Sequence, residues 1–201
     1  MDKTTHRVEA LTDAVFSIAM TLLVLNVTLE SGLGHKEFLV AIRGIGPKVL
    51  AYVVSFMVLA VYWIGHHNQF FWIKHTDRTF IWINVFFLMT IAFVPFSTSL
   101  IASYPHERYA VMLYGVNVVA AGMALLIHWR YAAVGARLTD GPVDAQISAL
   151  MQRRILLGTA FYAVAVLLAL ISPRISVVLF ALLPFLYMRG SKLDRGPKGH
   201  R

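Results

Sequence analysis

Charged residues leave six long apolar gaps in this chain. Uncharged runs at 14–29, 49–73, 79–106, 109–129, 155–173 and 175–188 hold 16, 25, 28, 21, 19 and 14 residues between consecutive Asp, Glu, Lys and Arg. A hydrocarbon core about 30 Å thick needs roughly 20 helical residues. The four middle runs qualify outright, and the first and last need flanking residues. The pattern predicts an all-α, polytopic membrane protein with six transmembrane helices. Residues 1–189 form one transmembrane domain and 190–201 a basic, disordered tail. Met1 to Asp13 is polar, and no small-residue cleavage site follows the first apolar run, so that run reads as a retained span rather than a cleaved signal peptide.

The connections carry their own signals. Ser31 to Gly34 reads as a turn, and in Lys36 to Ile45 the residues Phe38, Leu39, Ile42 and Ile45 fall at helical spacing. That predicts a short amphipathic helix lying at the outer interface, ended by Gly44, Gly46 and Pro47. Thr139 to Val143 is a turn, and Asp144 to Arg154 continues as helix into the fifth span. Pro173 separates the last two spans and Pro184 bends the last.

Composition sharpens the class. The 201 residues are 58% hydrophobic and 14% charged, with a mean hydropathy of +0.68, whereas soluble domains carry about 25% charged residues. The absence of cysteine excludes disulfide scaffolds, iron–sulfur clusters, Cys-ligated zinc and thiol nucleophiles. The net charge of +8 would suggest nucleic acid in a soluble chain, but its placement explains it otherwise. With both termini cytoplasmic, 13 Lys and Arg fall inside and five (Lys36, Arg43, Lys48, Arg108, Arg174) outside. That is the positive-inside bias of a multi-span protein, and no nucleic-acid partner is needed to account for it.

Ionisable and amide groups within the spans are the candidates for function, because they are costly at membrane depth. Arg7, Glu9, Thr12 and Asp13 stand at the cytoplasmic end of the first span, His66, His67, Asn68 and Gln69 at that of the second, and Asn84 at similar depth on the third. The first reading is a structural polar clasp, with Arg7 and Asp13 paired and hydrogen-bonded by histidine and asparagine. A Ser17, His66, Asp13 triad lacks a nucleophile turn. Adjacent His66 and His67 point about 100° apart, which is wrong for a metal site. Neither metal nor cofactor is expected. A proton relay through Asp13 and His67 stays open.

These residues also carry a resemblance. RVEALTDAVFSIAMTLLVLNV (Arg7 to Val27) resembles the first-span signature R-x-x-x-F-S-D of the transmembrane-protein-175 family of potassium channels. WIGHHNQFF (Trp63 to Phe71) and WINVFFLMTIAFVPFSTSLIASY (Trp82 to Tyr104) are similar to the prokaryotic members in the Trp before a His pair, the Ile-Asn pair and the Pro-Phe. Leu11 and Thr12 replace the motif Phe and Ser. The resemblance covers roughly the first half of the chain. It implies a bacterial inner-membrane protein, a homotetramer with the first helix of each subunit lining a central potassium pore, and lipid as its surroundings. No T-V-G-Y-G filter string occurs, so selectivity must come from side chains.

In helical projection Leu11, Val15, Ile18, Leu22, Leu25 and Leu29 fall on one side of the first span, with Glu9, Asp13 and Met20 opposite. Periodicity by itself directs such a stripe to lipid or to the bundle core. The resemblance instead makes Ile18, Leu22 and Leu25 the apolar pore gate and Thr21 a selectivity layer, with Arg7, Thr12, Asp13, His66, His67 and Asn84 as the clasp. The leading expectation is therefore a potassium-selective channel and not an enzyme. The alternative is a proton-coupled or other secondary transporter using Asp13, His66 and His67.

Overall fold

A computed structural model describes residues 3–187, and the tail expected at 190–201 lies outside the described residues. Each apolar run is helical. The helices are α1 (Lys3–Leu22), α2 (His35–Gly44), α3 (Gly46–Phe70), α4 (Arg78–Ser103), α5 (Arg108–Ala133), α6 (Ala145–Leu168) and α7 (Pro173–Tyr187). α1 tightens into a 3-10 turn at Leu23–Asn26, and another 3-10 turn, Val134–Ala136, follows α5. Five helices are long and apolar enough to cross a membrane: Thr5–Asn26, α3, α4, α5 with its 3-10 extension, and α6. The sixth expected span, α7, has 15 described residues, about 22 Å of rise, which is short of a full hydrocarbon core.

The boundaries have local causes. Asp77 caps α4 by accepting a 2.7 Å bond from the Phe80 amide, and Asp144 caps α6 by accepting from Gln146 and Ile147 at 2.9 and 3.1 Å. The expected continuation of 144–154 into the fifth span is thus one helix with a named start. Pro47 sits in the first turn of α3, where its missing N–H costs nothing. α2 buries none of its residues: Phe38, Leu39, Val40 and Ile42 are all exposed, as suits a helix at an interface.

α4 and α5 form the centre; α1 and α3 pack on α4, α6 on α5, and α7 on α6 and α3. In lipid, such packing relies on close approach and hydrogen bonds more than on hydrophobic burial. Gly122 permits that approach, since a Cβ there would press into the Thr159 hydroxyl and meet the Tyr62 hydroxyl at 3.2 Å. At one end the two loops 71–77 and 134–144 are joined. Ile73 and Thr139 form an antiparallel bridge, the Lys74 amide donates to Leu138 O at 2.8 Å, and His75 meets Asp140 at 2.9 Å.

Candidate functional site

α1 has one face in the bundle and one outside it. Val8, Thr12, Phe16, Ala19 and Leu23 are buried at helical spacing, and Phe16 packs on Phe87 with ring centroids 6.0 Å apart. Ile18, Leu22 and Leu25 are 58%, 43% and 65% exposed. The stripe therefore does not face the subunit core, one of the two destinations that periodicity left open. Thr21 lies on the same outward face, with Ile18 and Leu25 three before and four after it. Its hydroxyl donates to Ser17 O at 3.0 Å and Ile18 O at 2.9 Å. With its proton shared within its own helix, the exposed Thr21 oxygen keeps acceptor capacity.

The buried side of the clasp is a directed chain of hydrogen bonds. Thr12 donates to Val8 O at 3.0 Å, and Asn84 Nδ2 donates to Thr12 Oγ1 at 3.3 Å. That leaves Asn84 Oδ1 as an acceptor, so His66 Nε2, 3.1 Å away, is the donor. Each member satisfies the next, which a polar group in an apolar bundle requires, and the chain ties α1 to α4 and α3. The His66 ring also stacks on Phe87 at 5.5 Å and lies 5.0 Å from His128. His128 Nδ1 meets Gln69 Oε1 at 2.6 Å while Gln69 Nε2 donates to Leu125 O at 3.1 Å, so Nδ1 carries the proton. His128, in the fourth apolar run, is not among the candidates drawn from the first three spans. A histidine inside an otherwise apolar run is the signal that finds it.

The predicted layer is divided, however. Asp13 is exposed and accepts a 2.8 Å bond from the Trp63 indole, and His67, also exposed, stacks on Trp63 at 5.7 Å and meets Phe71 at 4.9 Å. Arg7 is exposed too, and among the described residues no ion pair joins it to Asp13; the recorded pair is His75 with Asp140. The expected Arg7–Asp13 pairing is thus corrected to an Asp13–Trp63 hydrogen bond; six residues apart on α1, Arg7 and Asp13 stand about 120° apart around the helix. The Ser17, His66, Asp13 triad is not assembled, since His66 is bonded to Asn84 and Asp13 to Trp63. Among the described residues no three His, Asp or Glu are placed to hold a metal ion.

A first helix that buries one face and turns an apolar stripe with a hydroxyl outward, in a bundle with five helices long and apolar enough to cross a membrane, defines a polytopic helical membrane protein. The particular family follows from comparison with known proteins. The family described as "Endosomal/lysosomal potassium channel TMEM175" matches residues 7–95. A protein of Streptomyces collinus named a potassium channel is 33% identical over 90% of this chain and 90% of its own length. One from Chamaesiphon minutus, also so named, is 33% identical over 93% and 95%. The crystal structure of a lysosomal potassium-selective channel TMEM175 homolog from Chamaesiphon minutus superposes with a TM-score of 0.82 at 30% identity, covering 93% of this chain and 97% of that one. The chain belongs to the TMEM175 family.

Proposed function

We propose that this protein is a potassium channel of a bacterial inner membrane, conducting passively down the ion gradient. The observation that carries the reading is near-full-length similarity, at 33% identity, to two bacterial proteins named potassium channels. The pore is formed by four copies under cyclic symmetry, each giving the outward face of α1, with α7 as a sixth span and both termini cytoplasmic. The unshared face of α1 supports this assembly, because an apolar stripe interrupted by Thr21 has no partner within the subunit core.

Rings of Ile18, Leu22 and Leu25 form the gate. Stripping a cation of water in an apolar ring costs on the order of tens of kcal/mol, so a tight ring is closed and dewetting holds it shut. Opening separates the four α1 helices until a partly hydrated ion passes, with the outward lone pairs of Thr21 supplying oxygen contacts beside the gate. The chain of Thr12, Asn84 and His66, with the Asp13–Trp63 bond, anchors α1 to the rest of the subunit while the exposed face moves. A carrier using Asp13, His66 and His67 as one relay is not favoured, since His66 belongs to the buried chain and His67 to the exposed set.

Purified protein in liposomes with an outward potassium gradient tests the function. Channel activity gives potassium flux that tracks the gradient and needs no second substrate. Flux that appears only with an imposed proton gradient would overturn the channel reading in favour of the carrier.

A further inference from the structure

The outward stripe of the first span changes helix type part-way along. α1 is α-helical to Leu22, and Leu23–Asn26 continue it as a 3-10 turn in which the Val27 amide donates to Val24 O at 2.9 Å. Residues three apart eclipse in a 3-10 helix, at about 120° per residue, and stand about 60° apart in an α-helix, at about 100° per residue. Leu25 follows Leu22 by three, so the turn sets one exposed leucine over the other. Rewound as α-helix, the same four residues turn Leu23 by about 20°, Leu25 by about 60° and Asn26 by about 80°, and they shorten by about 2 Å.

A side chain of the turn holds it in the 3-10 form. Asn26 Nδ2 donates to Pro95 O of α4 at 3.1 Å, and a shift of about 2 Å with a turn of about 80° carries that contact past hydrogen-bond length. Leu23 is fully buried in the core, and it is the residue that turns least. The core therefore permits the change, while the Asn26 bond opposes it. Thr12 and Asn84 tie α1 to α4 on one side of the stripe. Asn26 and Pro95 tie it on the other, with Ile18, Leu22 and Leu25 between the two ties. We propose that Asn26 is a positioning residue for the gate: its bond to Pro95 keeps Leu23–Asn26 in the form that aligns Leu25 with Leu22 in the closed pore. Release of the bond swings the Leu25 ring off the pore axis as the α1 helices separate. This rests on the reading that the α1 stripe lines the pore.

Cadmium block of potassium flux in liposomes tests this, using Leu25→Cys and Ile18→Cys separately in a chain that has no cysteine of its own. A ring of thiols around a pore binds this soft cation, so cadmium should block flux through either variant. Adding Asn26→Leu should weaken block of Leu25→Cys about tenfold. It should leave block of Ile18→Cys unchanged, because Ile18 lies in the α-helical part of the span. A general loss of structure would instead weaken both alike. Asn26→Asp has nearly the same size and, when ionised, no donor; it should act as Asn26→Leu does, and it decides the matter if Asn26→Leu does not fold. Block of Leu25→Cys that survives the Asn26 changes, or that falls equally in Ile18→Cys, overturns the proposal and leaves the pore reading standing. Cadmium without effect on either cysteine variant overturns the pore reading, and the role of Asn26 with it.

Discussion

At the scale of single residues, the strongest expectations concern hydrogen bonds with no replacement. Asn84→Leu strands the His66 Nε2–H donor and withdraws the donor that Thr12 accepts. Stranded buried groups cost about 1–3 kcal/mol each in soluble proteins. The membrane-embedded unfolded state finds substitute partners, so a total of about 1–2 kcal/mol is expected, read as a lowered midpoint of thermal unfolding in detergent. Asp13→Ala is the contrast. A buried Arg7–Asp13 ion pair would have made it cost about 3–5 kcal/mol. The observed partner is neutral Trp63 at an exposed site, so the loss is that of one solvent-exposed hydrogen bond, about 0.5–1.5 kcal/mol. Trp63→Phe should reproduce it, and the double mutant should cost no more than either single change. Thr21→Val removes the outward oxygen while keeping the size of the side chain. It should weaken the preference for potassium over sodium more than it lowers flux, as shown by reversal potentials in mixed-ion liposomes.

At the scale of elements, α1 is the helix whose two faces have separate duties. Ile18→Asn puts an amide into the proposed gate, so if that gate is right a constitutive leak of potassium is expected from liposomes that are otherwise tight. An unchanged leak would mean that the stripe faces lipid. Packing between α5 and α6 depends instead on a missing side chain. Gly122→Val drives a branched Cβ into Thr159 and Tyr62, and overpacking of that kind typically costs about 1–3 kcal/mol. It should lower the unfolding midpoint without altering ion preference, which separates a packing defect from a pore defect.

At the scale of the whole molecule, α4 runs 26 residues from the joined loops at its start to Ser103 at its end, about 39 Å. Ser103 and Asp140 therefore stand at opposite ends of the bundle. Because the chain has no cysteine, single reporters are clean. A cysteine at Ser103 or His106 should react with an impermeant reagent from outside and one at Asp140 only from inside, and the reverse pattern would invert the proposed orientation. Cross-linking should give a ladder that ends at four subunits, whereas a ladder ending at two would remove the pore as drawn.

The sequence by itself determined the class, the helices and most of their limits. Charge-free length is set by membrane thickness, and Asp144, Pro47 and Pro173 act on the backbone locally, so both can be read without knowing any neighbour. It also located Thr12, His66 and Asn84 at a common depth, because depth follows from position along each helix. Only the tertiary structure decided how that layer divides. Whether Asp13 meets Arg7 or Trp63 depends on the rotation of α1 against α3, which no spacing along one helix encodes. His128 came beside that layer for the same reason, since α5 packs beside α3 and α4 and sets that ring against Gln69, its hydrogen-bond partner, and His66, its ring neighbour. The stripe of Ile18, Leu22 and Leu25 was legible as a face, but that it lies outside the subunit core followed from what α4 and α3 cover on α1. Periodicity fixes which residues share a face, and packing fixes what the face meets.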